Sequence, residues 1–274
     1  MAIITISRQM GSWGTEIARG VAEKLCCECA DKEMIGAILL RYGMATTLVE
    51  KFDEKKPLFW DSFSAQRNKF LRCIKKAIYD VAGKGRSVIV GRGGQILLKD
   101  FPGTLHVRIY APIHVRLQHL MESERVEEKQ AHWMLRQSDQ DSAGYIQSFF
   151  NAGWDDPNLY DLLINTEKLS VATAIQLIVR SASSPEIQDG VEEANEKLAD
   201  LALVARAEEK LVARIGEKAR FVEIKAEKGV LLLAGQVDSP ISKENCERAL
   251  AGLEGMIRVE NKLLIVPELF PGIH

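Results

Sequence analysis

No stretch of this 274-residue chain approaches the length and apolarity of a membrane span. The first residues run straight into IITI with no basic region, long apolar run or cleavage site, which reads as a cytoplasmic protein. Charge of one sign is missing too. A net charge of −2 and a pI near 6.3 give no general pull toward nucleic acid or an anionic membrane, so any anion site must be local. Cysteine is sparse: of five, Cys26, Cys27 and Cys29 cluster while Cys73 and Cys246 stand far off, and no nearby histidine completes a tetrahedral metal set. They read as reduced, buried thiols. No basic amphipathic stripe or lipidation signal is present either. What remains is an ordinary composition, 46% hydrophobic and 27% charged, long enough for one large domain and one small one.

The most informative segment is Ile3 to Leu25, IITISRQMGSWGTEIARGVAEKL: a buried strand, a glycine-containing turn and an amphipathic helix. That layout cradles phosphates, because backbone N–H groups at a helix N-terminus point at the anion. The full loop reads Gly-x-x-x-x-Gly-Lys-Ser/Thr, with the lysine on the outer phosphates. Laid over that frame, Arg8 takes the first glycine's place, Trp13 the last glycine's and Gly14 the lysine's, and Thr15 falls where a magnesium-binding hydroxyl belongs. Lysine at Gly14 is then a change expected to raise any residual activity where the geometry is otherwise intact. Arg8 adds a planar anion-binding fork beside the turn. Trp13 is harder to place, since its indole fills the pocket or stacks on a base where glycine normally lets the backbone approach phosphate.

Downstream, a helical region from about Phe59 to Val81 is broken by Gly83-Lys84-Gly85 before SVIVGRGGQILL, a short apolar strand ending in glycines. LHVRIYA (105–111) is a third strand, ended by Pro112, and Ile113 to Glu128 is an amphipathic helix. Glu122 to Trp154 reads as helices joined by mobile turns, a lid, before a fourth strand at Tyr160–Thr166 and a helix capped by Ser170. Strands alternating with helices predict an α/β fold, a doubly wound, mainly parallel sheet with ligands at the carboxyl ends of its strands. The linker SASSPEIQDG (181–190) leads to a small α+β unit: a helix at about Val191–Ile215, two strands around Lys228-Gly229, a helix at about Ser242–Leu253 and a final strand MIRVENKLLIV.

ITISR followed by GSxG-x-E-I-A, VIVGRGG, the strand ending in AP with Arg116 four residues on, and W-DDP-NLYDLLINT-EKLS together resemble the cytidylate kinase-like family, a branch of the P-loop nucleoside monophosphate kinases. The resemblance covers residues 1–182. Residues 205–274, after a linker and leading helix at 183–204, resemble a BON domain through GVLLLAGQVDS and the closing G-M-I-RVENKLLIV. The kinase resemblance implies phosphoryl transfer from ATP, with Mg2+, to CMP, dCMP or a related acceptor, so cations should converge on the transferred group. It implies that Gly11, Ser12, Trp13, Gly14 and Thr15 surround the donor phosphates with Thr15 on the metal, and that Asn165 and Thr166 lie near the adenine. Arg8, Arg116, Arg136 and Asp139 would act in transfer. Asp31, Arg92 and Gly93 would hold the acceptor.

The residues also admit other readings. Arg116 and Arg136 on amphipathic helices read equally well as solvated surface charges, and Asp31 before a helical run is a standard cap. An arginine between glycines at the end of a buried strand, as at Arg92, has little structural reason to be there. The family often carries arginine at Thr15 and, shortly after the lid acid, at Ser142; both are absent here. Arginine at Ser142, like lysine at Gly14, is expected to raise any residual activity where the geometry is otherwise intact. Losing a charged contact to a transferring phosphoryl group costs orders of magnitude in rate. Three functions therefore stand: an active nucleotide kinase, a catalytically weak nucleotide-binding sensor or scaffold coupled to the BON-like domain, and a BON-centred protein that binds phospholipid or a protein partner.

Overall fold

The computed structural model describes residues 2–51 and 64–266, and the chain divides into two compact units, residues 1–194 and 195–274. In the first, the elements run β1 (Ile3–Arg8), α1 (Gly14–Leu25), β2 (Glu28–Ala30), α2 (Lys32–Arg41), α3 (Thr46–Lys51), α4 (Ser64–Gly83), β3 (Ser87–Val90), α5 (Gly94–Leu97), β4 (Thr104–Tyr110), α6 (Ile113–Glu124), α7 (Glu128–Phe150), β5 (Leu162–Asn165), α8 (Val171–Ala182) and α9 (Pro185–Gln188). The helix α10 (Val191–Ile215) follows. The strands form one parallel sheet in the order β2-β3-β1-β4-β5. The sheet is parallel, as expected, with one strand more than the sequence pattern marks.

β1 is buried from Ile3 to Ser7 because both its faces are covered, and Ile6 sits level with Val90 on one side and Val107 on the other. Ala18, Val21 and Ala22 of α1 and Ala174 and Ile178 of α8 join the core against it. From β1 the connections first lead to β2 and β3 on one side and then to β4 on the other. The carboxyl end of β1 thus opens the crevice where such sheets bind ligands.

Several expected boundaries move. β2 adds a strand, so the strand expected as the fourth is the fifth, and it is shorter, with Tyr160 buried outside it. The region expected to be helices and mobile turns is a single 23-residue helix, α7, entered through a short link at Arg125–Glu127. The Ser170 hydroxyl does cap α8, accepting from the Thr173 N–H at 3.1 Å. Residues 181–190 are the end of α8 and the short helix α9 more than an open linker. Residues 59–63 of the expected second helix lie outside the described residues. The thiols are less buried than expected, with Cys26 exposed and Cys27 and Cys29 partly so. Partial burial pushes the Cys27 and Cys29 thiols up, away from the thiolate form that binds metal or reacts.

In the second unit α10 precedes β6 (Val222–Glu227), β7 (Val230–Val237), α11 (Pro240–Leu250), β8 (Arg258–Asn261) and β9 (Leu264–Ile265). β6 and β7 form an antiparallel hairpin whose two-residue turn, Lys228 (φ 49°) and Gly229 (φ 76°), has the left-handed form that matches strand twist. The Asp200 carboxylate accepts from both turn N–H groups, at 2.7 and 2.8 Å. The single closing strand expected is two, β8 and β9, both parallel to β7. Leu203, Ala207 and Leu211 of α10 and Cys246 and Leu250 of α11 pack with Leu231 and Leu233 as a core of their own. No helix among the described residues is long and apolar enough to cross a membrane.

Candidate nucleotide-binding cleft

At the end of β1 the chain turns through Gln9–Trp13 into α1. The turn has two left-handed positions although its residues depart from the loop motif. Gly11 (φ 78°) and Trp13 (φ 57°) are left-handed, and Trp13 occupies the position where the loop motif has glycine. The first intrahelical hydrogen bond of α1 is from the Ile17 N–H to the Trp13 carbonyl. Gly14, Thr15 and Glu16 therefore present the N–H groups that a helix N-terminus offers to an anion.

Gly14 is a glycine for a steric reason that its alignment with lysine conceals. A Cβ there would lie 2.3 Å from Arg8 Cβ and 2.8 Å from Arg8 Cγ. The stem of Arg8 thus occupies the space through which a lysine side chain would leave the helix. The expectation that lysine at Gly14 raises activity depended on an otherwise intact geometry, and here that position is crowded by the stem of Arg8 from β1. Gly11 is equally constrained, since its Cβ would meet the Arg116 carbonyl oxygen at 2.7 Å.

Ser12 and Thr166 brace the turn from inside. Both are buried, and the Ser12 hydroxyl donates to the Gln9 carbonyl at 2.7 Å. Thr166 Oγ1 shares its proton between the Ser12 and Tyr110 carbonyls, each at 3.2 Å. Both hydroxyls thus donate to backbone carbonyls of the turn and its neighbours, and the Ser12 backbone belongs to the turn. Asn165 Oδ1 accepts from the Glu167 N–H at 2.9 Å in a local turn after β5. Thr15 stays partly exposed.

A cleft of about 500 Å³ opens over the turn, lined by Arg8, Gly11, Trp13, Gly14 and Thr15 and by residues of α6 and α7. Lys32 and His119 also line it, and the sequence pattern alone did not single them out. His119 had one legible signal: it lies three residues after Arg116, on the same helical face. The positive groups face Glu16, Glu124 and Asp141 on the same walls.

The lid residues take roles other than those expected. Arg116 is buried, and its guanidinium holds Asp139 of α7 in a bidentate pair, Nη1 to Oδ1 at 2.9 Å and Nη2 to Oδ2 at 2.8 Å. Nη1 also donates to the Met10 carbonyl at 3.4 Å. Arg116 and Asp139 therefore lock α6, α7 and the turn together, and neither lines the cleft. Arg136 is exposed and borders a separate surface depression with Glu127, Lys129 and His132, while Met134, Gln137, Ser138 and Ser142 of the same helix line the cleft. In this arrangement Arg136 does not reach the turn.

At the end of β3, where the acceptor was expected, Arg92 is 2% exposed with a left-handed φ of 57°, followed by Gly93 whose Cβ would meet the Phe150 ring at 2.4 Å. Around Arg92, Ser7, Gln95 and Trp154 leave a space of about 20 Å³, room for a water or so. Arg8 and Ser142 line both this space and the main cleft, so they stand at the junction of the two. Asp31 caps α2, accepting from the Glu33 and Met34 N–H groups at 3.1 Å each, and is not a cleft residue. Behind Arg92, buried Arg108 pairs with Asp155, donates to the Trp154 carbonyl and lies 4.4 Å from the Trp154 ring centroid. The Trp154 indole N–H reaches Ser7 Oγ at 2.9 Å, which ties the W-DDP segment to β1.

The sequence profile of the cytidylate kinase-like family matches residues 3–168. A cytidylate kinase from Staphylothermus marinus is 26% identical over 183 residues, 65% of this chain and 94% of that protein. A uronate isomerase from Corynebacterium glutamicum is 28% identical over 119 residues, 43% of this chain and 22% of that enzyme. The crystal structure of an uncharacterized protein from Eubacterium ventriosum is similar at 25% identity and a TM-score of 0.54, over 67% of this chain and 99% of that one.

Proposed function

The chain belongs to the cytidylate kinase-like family, and on that premise we propose that its first unit binds Mg-ATP at the turn after β1 and transfers a phosphoryl group to CMP, dCMP or a related acceptor. The observation that carries this reading is the backbone. Gly11 and Trp13 hold the turn in the cradling form, and the Arg8 stem takes the lysine's place beside Gly14. The residues present suit a triphosphate: the N–H groups of Gly14, Thr15 and Glu16 would receive the anion, and Arg8 and Lys32 would neutralise it. Magnesium, held mainly by phosphate oxygens and water, would take the Thr15 hydroxyl. Arg8 sits where both substrates would meet, and the acceptor phosphate would enter beside Arg92 and Gly93, past Ser142. The space at Arg92 must widen to admit it.

One observation favours a second reading. Arg116 is committed to Asp139 and Arg136 faces away, so few cations face the cleft. A protein so built would bind nucleotide and transfer phosphate slowly, acting as a sensor or scaffold for the second unit. That unit's sheet and helix are consistent with a BON-like domain whose ligand would be a phospholipid surface or a protein partner. Incubating the full chain with Mg-ATP and a panel of nucleoside monophosphates separates the readings, with ADP formation followed beside calorimetric binding. Turnover with a cytidine nucleotide supports the kinase; binding without ADP formation overturns it in favour of the sensor. Co-sedimentation of the chain with phosphatidylglycerol vesicles tests the lipid role, and no pelleting removes it.

A further inference from the structure

Trp13 stands where the turn wants a glycine, in a left-handed conformation that a bulky side chain rarely adopts (φ 57°, ψ 16°). Something must hold it there. The structure supplies two contacts on this part of the turn, one to the indole and one to the Gly11 carbonyl, and both come from His119 of α6. The imidazole stacks on the indole with ring centroids 4.2 Å apart and planes 16° from parallel. Its Nδ1 lies 3.1 Å from the Gly11 carbonyl oxygen, which can only accept, so the proton is on Nδ1. The next group outward is Glu16, whose carboxylate is 4.0 Å from Nε2. With Arg116 reaching the Met10 carbonyl, two consecutive carbonyls of the turn accept from one face of α6.

We propose that His119 is the positioning residue that holds this substituted turn in its phosphate-cradling form, making the Trp13–His119 stack a replacement for the missing glycine and the triphosphate of a nucleotide the ligand it serves. The proposal rests on the phosphate-binding role given to the turn above. His119 acts on the turn through Trp13 and Gly11 and needs no contact with the ligand.

A double-mutant cycle with the full chain tests it, using Mg-ATP as probe, calorimetry for affinity and thermal unfolding to confirm folding. The expected result is that H119A weakens Mg-ATP binding about tenfold, the scale of coupling between touching residues. W13G gives the turn its glycine and removes the need for the clamp, so H119A added to W13G should change affinity by less than about twofold. H119N, which can still donate to the Gly11 carbonyl, should recover part of the loss in the Trp13 background. Additive effects of H119A and W13G, or unchanged binding in H119A, overturn the proposal. Proton NMR of the imidazole separates failure of the clamp from failure of nucleotide binding. The indole ring current should shift the His119 ring protons upfield in the ligand-free protein, and W13G should remove that shift. An unshifted His119 overturns the clamp whether or not ATP binds. If the shift is present and Mg-ATP does not bind, the stack exists without a ligand to serve, and the proposal falls together with the reading it rests on.

Discussion

Replacing Gly14 with lysine rewrites the missing phosphate-loop cation into the sequence, yet the structure expects it to do harm. The Cβ of any residue at 14 lies 2.3 Å from Arg8 Cβ, closer than such atoms approach, and the conflict is with the root of the Arg8 side chain. A rotamer change at Arg8 cannot move its own Cβ, so β1 and α1 must separate. Overpacking of this kind costs about 1–3 kcal/mol, and a contact between two backbone-anchored atoms belongs near the upper end. At roughly 2–4 °C per kcal/mol for a chain of this size, the first unit of Gly14→Ala should melt about 6–12 °C lower. Gly14→Lys should melt as low and lose Mg-ATP affinity. The exchange Arg8→Gly with Gly14→Lys clears the space and supplies the first glycine and the lysine of the loop motif, so it should recover both melting temperature and binding. Thermal unfolding with calorimetry on the four proteins decides the matter. A Gly14→Ala protein that melts like wild type, or a Gly14→Lys protein that forms ADP faster, refutes the reasoning.

Other perturbations test other parts of the site. Asp139→Ala leaves the buried Arg116 guanidinium without its bidentate partner and should cost about 3 kcal/mol in urea unfolding, with Asp139→Asn recovering part; a cost near zero would mean the pair is not a lock. Gly93→Ala forces a Cβ into the Phe150 ring at a left-handed position (φ 73°) and should destabilise by about 2 kcal/mol, partly relieved by Phe150→Leu, as thermal melts would show. His106 is buried with Nδ1 2.8 Å from Thr5 Oγ1, and burial pulls its pKa below the usual 6.5 against the opposing pull of Asp161. Below pH 6.5 the unfolded chain takes up a proton that the folded chain refuses. Stability is therefore full above that pH and lost as pH falls toward the lowered value. Urea midpoints from pH 7.5 to 5.5 should fall in wild type and less in His106→Gln; equal slopes would rule His106 out as the cause.

The parallel sheet was legible because its signals are local. An apolar run between glycines makes β3, an isoleucine-rich start ahead of a glycine turn makes β1, helical spacing makes α1, and a serine before an apolar helix makes the Ser170 cap. β2 escaped notice because three residues of Glu-Cys-Ala carry no periodicity, and their pairing with β3 is set by a segment nearly 60 residues away. α7 read as broken because polar residues crowd its exposed positions, while Ala131, Leu135, Tyr145 and Phe149 carry the buried stripe. In the second unit, the hairpin turn was marked by Lys228-Gly229, while the break between β8 and β9 has only Asn261 to mark it, whose Oδ1 accepts from the Leu263 N–H at 3.3 Å.

The amino-acid sequence by itself determined the order of strands and helices, the place of the turn and the kinds of residue in it, since these follow from short-range pattern and backbone preference. Only the tertiary structure decided what those residues do. Whether Gly14 can be lysine depends on where β1 puts the Arg8 stem. Whether Arg116 can reach a phosphate depends on Asp139 of another helix, and whether Trp13 blocks the turn depends on His119, more than 100 residues along the chain. These outcomes are set by distances of a few ångströms between distant segments, and local pattern does not encode them.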